Sequence, residues 1–420
     1  MGLGNLACHP GNQKKIMQEG ALPALISIAK YENGDLESQR YAILALTNLS
    51  ATKANHAMLV DTGCLSIFAA FFDHQDVEIR NSSCFAVANL AANANNHLLI
   101  INENCLPKII ELLKVDDTYA NLRAVTALRG LSTDANIRVD IVEMNALPDI
   151  LRLAKSDEVE LQMESLACLC NLSLCGCIGD NPLAFLDACN IKNLVSYLCS
   201  ADATFRLFGA VTLGNIASTI ALQDSVVDGG ALGPLVTISN QADLETQRCI
   251  AYALCNLAAD PRRRVDIVRE GGLPSLISMA CSEDLNDQLA AMSTIRGIAS
   301  HPEFRRPIFQ ANVTEALTIG TRANNIEIRC EAAALMCALS INDDNKLEMA
   351  LNDTLLLNLI DLLKENFDPR CLRQAMGCLS NLTERHECHP FMRRHQMHNI
   401  VLSHFHNDDN GLLREAARFL

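Results

Sequence analysis

A six-residue segment recurs along the whole chain and constrains its fold more than any other feature. The copy at residues 253–258 reads Ala-Leu-Cys-Asn-Leu-Ala, and we call this segment the repeat motif. Its fourth residue, usually Asn, is the motif position, which falls at residues 5, 48, 89, 130, 171, 215, 256, 297, 338 and 381. Successive copies therefore lie 41 to 44 residues apart. A period in the forties with helical patterning is typical of an α-solenoid, in which each repeat packs against its neighbours.

The residues between two motifs predict three helices per repeat. In the first full period, residues 13–19 predict a short helix that ends at Gly20. A second helix follows over residues 24–30, with Pro23 in its first turn, where proline's missing N–H costs little. The third helix, residues 36–50, carries the motif at its end. Comparable turns between the first and second helices contain Gly63, Asn145, Gly230 and Gly271, and Gly and Asn suit the left-handed conformation that ends a helix.

The glycine turn, the proline start and the Asn-bearing third helix together resemble the armadillo-repeat family over essentially all 420 residues. Within that family the motifs look most like those of vacuolar-protein-8-like and β-catenin-like members. The resemblance implies an all-α fold, a right-handed α-solenoid of about ten armadillo repeats with three helices each. We expect residues 1–420 to form a single armadillo-repeat domain.

Both ends of the chain fall inside a repeat, which predicts that it is a fragment of a longer protein. A solenoid needs terminal repeats with a polar outer face, and neither end has one. The uncapped apolar residues near Leu3 and Phe419 predict end-to-end self-association of the fragment.

Composition narrows the function classes. The net charge of −15 argues against nucleic acid as a partner, because nucleic-acid binding relies on a basic surface. No run of 18 apolar residues predicts a membrane span. We find no nucleophile elbow, phosphate loop or paired carboxylates of an active site, so we expect neither catalysis nor a cofactor. Most of the eighteen cysteines fall at apolar helix positions, which predicts reduced core thiols and a cytoplasmic location, with a nuclear or cytoskeletal association as the alternative.

Two clusters could suggest a metal site. Cys168, Cys170, Cys175 and Cys177 are close in sequence, but two cysteines two residues apart on a helix point in different directions. Six histidines lie between His386 and His406, and we interpret them as a solvated surface. We therefore predict no metal ligands.

The third helices supply the candidate binding residues. In armadillo proteins these helices line the concave face, and the resemblance implies that the motif Asn side chains bond to the backbone of an extended partner peptide. Residues one, four and seven before the motif position share the face of that Asn. The predicted peptide-binding groove comprises Tyr41, Asn48, Phe85, Asn89, Arg129, Asn171, Phe208, Asn215, Tyr252, Asn256, Arg296 and Asn381.

This chain departs from the family in two ways. It has no Trp, whereas import receptors of the importin-α type use Trp near the motif Asn, so nuclear import is disfavoured. Gly130, Gly297 and Ala338 also replace the motif Asn, so the series of Asn side chains along the groove, which we call the motif ladder, is interrupted in three repeats. An alternative for each remaining Asn is a hydrogen bond to the neighbouring helix, since polar groups on a half-buried face usually find local partners.

Groove residues repeat at an offset of 167 residues, which suggests a duplicated block of four repeats. Tyr41 matches Phe208, Phe85 matches Tyr252, and Arg129 matches Arg296. Glu164 matches Glu331 in the same way. This pattern predicts two similar half-sites, and the alternative is that each Arg pairs with the Glu of the next third helix.

The sequence as a whole predicts a non-catalytic scaffold that binds extended segments of a partner protein along its groove. The alternative is a structural component of a cytoskeletal or axonemal assembly, held by its outer faces and ends.

Overall fold

Helices account for all the regular structure of the residues described. The computed structural model describes residues 2–30, 35–174, 191–239, 241–364, 368–403 and 418. Within these ranges each element is an α-helix or a short 3₁₀-helix, so the fold is an all-α solenoid, as predicted. The chain divides into two compact units, Met1–Leu194 (unit 1) and Val195–Leu420 (unit 2). The expectation of a single domain over residues 1–420 stays a prediction.

A third helix contains the motif position in all ten repeats. Unit 1 contains those of repeats 1 to 5, which are Gly2–Ala7, Leu36–Ser50, Val77–Ala91, Thr118–Leu131 and Val159–Leu172. Unit 2 contains those of repeats 6 to 10, which are Ala203–Ala217, Leu244–Leu257, Leu285–Ala299, Ile326–Leu339 and Pro369–Thr383. Within each unit, third helices of successive repeats pack side by side.

The first and second helices are shorter and precede each third helix. The first helices are Pro10–Gln18, His56–Asp61, His97–Asn102, Ala135–Glu143, Ile220–Asp228, Pro261–Arg269, Arg305–Gln310, Asp343–Leu351 and His389–Arg394. The second helices are Leu22–Lys30, Cys64–Phe71, Cys105–Leu112, Leu147–Leu153, Ile191–Leu198, Leu232–Ser239, Leu273–Ala280, Thr314–Arg322, Asp353–Lys364 and Met397–Ser403. The three helices predicted from the first full period are therefore confirmed, with ends shifted by a few residues at most.

Polar residues fix where the third helices start. In every described repeat from 2 to 10 except repeat 5, the residue before the helix is Asp or Asn, and its side chain accepts a hydrogen bond from a backbone N–H of the first turn. Repeat 5 has Glu158 at this position, and its side chain makes no such bond. These caps satisfy donors that a helix start leaves free.

The turn between the first and second helices uses a left-handed residue, as predicted. Gly63 has φ of 79°, and Asn145 takes the same conformation with φ of 57°. Gly230 and Gly271 do so as well. A residue in this conformation ends the first helix and lets the chain turn directly into the second.

The motif supplies the core. The residue after the motif position is fully buried in each repeat from 2 to 10, as for Leu49, Leu90 and Leu131. The residue two before it, such as Leu46 or Leu128, is also buried. The removal of these side chains from water stabilises the fold, so the motif recurs because it supplies buried core residues in each repeat.

A side chain of each first helix binds the end of the preceding third helix. His56 Nε2 donates to the Ser50 carbonyl at 2.8 Å, and Arg138 Nη1 donates to the Ser132 carbonyl at 3.1 Å. In eight of the nine described first helices this donor lies eight residues after the motif position and six after its acceptor. The other described donors at this position are Gln13, His97, Gln223, Arg264, Arg305 and His389. In Asp343–Leu351, Lys346 has that position but binds Asp343 and Glu384, and Asn345 donates to the Leu339 carbonyl instead. The last four carbonyls of a helix lack intrahelical partners. Each of these hydrogen bonds therefore satisfies one such carbonyl and connects two successive repeats.

No single helix among the described residues has the length and apolar composition needed to cross a membrane. One pair of helices meets those criteria jointly, Val77–Ala91 with Ala94–Asn102, and the two are bent by 117°.

Gly130 allows two third helices to approach closely. A Cβ at this position would lie 2.8 Å from the carbonyl oxygen of Ala91, a backbone atom of the neighbouring helix. We predict that Gly130→Ala lowers the melting temperature measured by circular dichroism. Overpacking costs about 1–3 kcal/mol, which outweighs the gain of about 1 kcal/mol from replacing a helical Gly.

The control for this prediction is Gly233→Ala. A Cβ there would meet a single side-chain oxygen of Glu270 at 3.5 Å, an ordinary contact. A melting temperature that is equal in both variants would contradict the close approach at Gly130.

The buried His56 predicts a loss of stability in acid. Burial is the main cause that lowers its pKa below the usual 6.5, and Lys53 adds to it. Its Nδ1 is buried without a hydrogen-bond partner, so a proton there would be unsatisfied. The unfolded chain takes up this proton more readily, so the stability that depends on a neutral His56 is present above pH 6.5 and falls as the pH drops below it.

We therefore expect His56→Gln to reduce the fall in melting temperature between pH 8 and pH 5.5. Gln13 and Gln223 already make the same bond in repeats 2 and 7. The exposed His398, replaced by Gln, is the control and should leave the pH dependence unchanged. An identical pH dependence in wild type and His56→Gln would contradict a lowered pKa of His56 in the folded chain.

Candidate functional site

The predicted groove face is accessible at some helical positions and buried at others. Residues at the motif position and four and seven before it, such as Asn89 and Phe85, are half-buried or exposed in most repeats. Residues one before it are mostly buried, as Thr47 and Ala88 are. The predicted face is therefore narrower than helical spacing suggests, with the long side chain of Arg129 as an exception at the minus-one position.

The motif Asn side chains bond to the preceding repeat, which was the alternative considered for them. Asn171 Nδ2 donates to the Arg129 carbonyl and to Ser132 Oγ, both at 3.1 Å. Asn256 Nδ2 donates to the Gly214 carbonyl at 2.9 Å. Corresponding bonds join Asn48 to Gly4, Asn89 to Ser50 and Asn381 to Ser340, and Asn215 also interacts within the chain.

This use of Nδ2 leaves the amide oxygens as acceptors. Within the described residues, Oδ1 of Asn48, Asn89, Asn171 and Asn256 accepts no hydrogen bond. These four side chains are half-buried. Asn381 differs, because it is only 8% exposed and offers a ligand little access.

The aromatic residues predicted for the groove have different surroundings. The guanidinium carbon of Arg123 lies 3.7 Å from the centre of the Phe85 ring, and the same group lies 4.7 Å from the Tyr119 ring. Phe85 is thus covered by a cation–π contact from the next repeat. Tyr252, its equivalent in unit 2, is 43% exposed, and no cation stacks on its ring among the described residues.

Both predicted Arg residues form the ion pair that sequence analysis considered as an alternative. Arg129 Nε lies 2.6 Å from Glu164 Oε2, and Arg296 pairs with Glu331 in the same way. The Arg side chains are 46% and 43% exposed. Pairs this exposed contribute about 0–1 kcal/mol, so they orient the guanidinium groups more than they stabilise the fold.

The glycines beside these Arg residues have a packing role that sequence analysis did not foresee. Gly130 adjoins the backbone of Ala91, as described above. A Cβ at Gly297 would lie 3.0 Å from the guanidinium carbon of Arg264, which donates to the Gly297 carbonyl. The two glycines therefore accommodate the neighbouring repeat.

Two clefts in unit 1 contain predicted residues. The first, of about 590 Å³, lies over the third helices of repeats 2 to 4, and we call it the tyrosine cleft. It is lined by Glu37, Arg40, Tyr41, Leu44, Glu78, Asn81, Ser82 and Tyr119. The second, of about 390 Å³, lies over repeats 2 to 5, and we call it the arginine cleft. It is lined by Ala51, Lys53, His56, Ala88, Asn89, Ala91, Ala92, Thr126, Arg129, Gly130, Thr133 and Asn171.

Unit 2 has a smaller cleft on its third helices. Its volume is about 280 Å³, and Asn215 and Tyr252 belong to its walls. Arg248 and Asp287 also line it and form an ion pair with each other. Phe208, Asn256 and Arg296 do not line it. The two half-sites predicted from the 167-residue offset therefore differ in shape and composition.

Several residues that line these clefts were not predicted from the sequence. Tyr119 lies eleven residues before its motif position, outside the helical spacing that was used. Lys53 and His56 belong to the segment after the motif, and both line the arginine cleft. The spacing of Tyr119 and Arg123, four residues apart on one helix, was the available signal for the stack on Phe85.

The candidate metal clusters gain no support. Within the described ranges, no group of three or more His, Cys, Asp or Glu side chains is placed to hold a metal ion. Cys168 and Cys170 are buried thiols, and burial raises the pKa of Cys168 to about 12. Cys175 and Cys177 lie outside the described residues, as do the last two histidines of the second cluster. Ten of the fifteen described cysteines are buried, which confirms their core position.

Comparison with known proteins supports the repeat assignment. The family model for the armadillo/β-catenin-like repeat matches residues 9–51. Vacuolar protein 8 of Schizosaccharomyces pombe is 32% identical over 111 residues, 26% of this chain and 20% of that protein. Vacuolar protein 8 of Candida albicans is 31% identical over 114 residues, 27% of this chain and 20% of that protein. The chain thus spans about a fifth of the length of these relatives.

A solved structure shares the fold over nearly the whole chain. The crystal structure of an engineered protein superposes with a TM-score of 0.77 and covers 95% of this chain and 98% of its own. The sequence identity is 23%, so this likeness concerns the fold alone. The family match, the two relatives and the recurrence of the same three helices support the assignment of this chain to the armadillo-repeat family.

Proposed function

We propose that the chain is a scaffold that binds an extended segment of a partner protein along the third helices of unit 1. Armadillo-repeat proteins bind protein partners, and the family is generally non-catalytic. The observation that carries the finer proposal is the pair of neighbouring clefts over repeats 2 to 5. These clefts contain Tyr41, Asn89, Arg129 and Asn171, four of the residues predicted for the groove.

The Asn side chains are suited to hold a peptide backbone. Each Nδ2 bond to the preceding repeat fixes the side-chain amide, so its orientation is set before a ligand arrives. The Oδ1 atoms of Asn89 and Asn171 then remain to accept N–H groups of an extended chain. An acceptor fixed in advance binds with less loss of conformational entropy than a mobile one.

The spacing of the repeats matches an extended peptide. Packed helices lie about 8–10 Å apart, and an extended chain rises about 3.3 Å per residue, so about three peptide residues cross each repeat. A segment crossing repeats 2 to 5 therefore needs on the order of ten residues. Its side chains would alternate between the helix surface and solvent.

The tyrosine cleft supplies an apolar wall along this path. The rings of Tyr41 and Tyr119 face the same space as the side chain of Leu44. Aromatic rings bury a large area at low conformational cost, which suits a contact that anchors a peptide side chain. The outer surface carries none of the groove residues, and we propose no binding role for it.

Peptides selected from a random display library with the full chain provide the test. We predict that the double substitution Asn89→Ala and Asn171→Ala weakens binding of a selected peptide roughly thirtyfold, because two hydrogen bonds of about 1 kcal/mol each are lost. Isothermal titration calorimetry measures this change directly.

Asn381→Ala is the matched control for a loss of stability. Asn381 makes the same type of bond to its preceding repeat but is buried. It should lower the melting temperature and leave the peptide affinity unchanged. Equal affinity in the double variant and wild type would refute the groove proposal, and it would favour binding through the outer faces or ends.

A further inference from the structure

The charges around the arginine cleft contrast with those of the whole chain. The chain carries a net charge of −15, yet no carboxylate lines this cleft. Lys53 and Arg129 provide two positive charges in its walls. The nearest paired acid, Glu164, binds Arg129 from the next third helix and does not line the cleft.

Both cations keep donors for a ligand. The exposed ammonium group of Lys53 makes no hydrogen bond or ion pair with any described residue. Arg129 uses Nε to bind Glu164, and its two terminal nitrogens make no hydrogen bond within the described chain. The Glu164 contact thus holds the guanidinium in place while its outer edge stays available. That edge matches the two oxygens of a carboxylate or phosphoryl group.

The equivalent position in unit 2 lacks these features. At an offset of 167 residues, Ile220 replaces Lys53 and Ala338 replaces Asn171. The side chain of Ile220 is 76% exposed and carries no charge. Arg264 packs against Gly297 and donates to its carbonyl, so this cation is occupied. The combination of two available cations and motif amides therefore belongs to unit 1.

We propose that the arginine cleft recognises an acidic side chain of the bound peptide, either a carboxylate or a phosphorylated hydroxyl. This proposal rests on the groove function above and adds the chemistry of one position in the partner. The peptide backbone passes Asn89 and Asn171, and the acidic side chain lies between Lys53 and Arg129. An uncharged or basic residue there would leave these cations without a partner, which gives the site selectivity.

The volume of the cleft agrees with a side chain as occupant. About 390 Å³ falls at the lower end of the range of about 300–1,000 Å³ for small-ligand sites. Its lining includes small residues such as Ala88, Ala91 and Ala92, whose short side chains leave room for a carboxylate or phosphoryl group.

The experiment compares three versions of one selected ten-residue peptide. The position at which selected peptides prefer an acidic residue carries Glu, Gln or phosphoserine. Calorimetry measures the affinity of each peptide for the full chain. We expect the Gln peptide to bind about fivefold more weakly than the Glu peptide, the limit for a partly exposed ion pair of about 1 kcal/mol. The phosphoserine version, with more charge, should bind at least as well as the Glu version and show a steeper loss of affinity with added salt.

Lys53→Ala tests whether the contact is direct. It should weaken the Glu peptide about fivefold and leave the Gln peptide unchanged, so that the two substitutions are not additive. Lys53→Glu should reverse the preference and favour a peptide with Lys at that position. Lys155→Ala removes an exposed lysine that does not line the cleft and is the control for net charge. It should leave all three affinities unchanged.

The outcomes separate this inference from the groove function. Selected peptides that bind but show no acidic preference, or a preference that survives Lys53→Ala, would overturn the inference and leave the groove function intact. A chain that selects no peptide at all would overturn both.

Discussion

The closure of the third helices by the next repeat, in the described part of the chain, is the constraint on which the rest of this structure depends. A helix leaves its last carbonyls without partners, and a solenoid places such an end at every repeat. Here a donor side chain eight residues after the motif position binds that end from the following first helix, as His56 and Arg138 do. The apolar motif residues on either side of the motif position, such as Leu46 and Leu49, are fully buried. Polar closure and apolar burial thus both occur at the end of the third helix.

This arrangement explains why the fold could be predicted from the sequence while part of the site could not. Spacing of the motif, the left-handed turn residues and the Pro at helix starts are local signals, and they gave the three helices of each repeat. The donor eight residues after the motif position was also visible in most repeats, as Gln, His or Arg, but its purpose depends on a carbonyl in another helix. Contacts between repeats, such as Arg123 over Phe85, depend on side-chain lengths that periodicity does not specify.

The same reasoning explains why the two predicted half-sites diverge. Residues that match at an offset of 167, such as Arg129 and Arg296, make the same ion pair with the next helix. Their surroundings differ because the residues next to them do not match at this offset and leave different surfaces accessible to a ligand. Arg123 covers the Phe85 ring in unit 1, whereas Arg264 fills the space beside Gly297 in unit 2. A motif ladder fixes where a peptide backbone could be held, and the residues between the ladder positions determine which side chains it accepts.

A crystal structure of the full chain with one selected peptide tests the central claim most directly. The account predicts an extended peptide across the third helices of repeats 2 to 5, with its backbone N–H groups about 2.9 Å from Oδ1 of Asn89 and Asn171. The Nδ2 bonds of these two residues to the preceding repeat should persist in the complex. A peptide bound to the first and second helices, or an Asn amide turned away from it, would contradict the account.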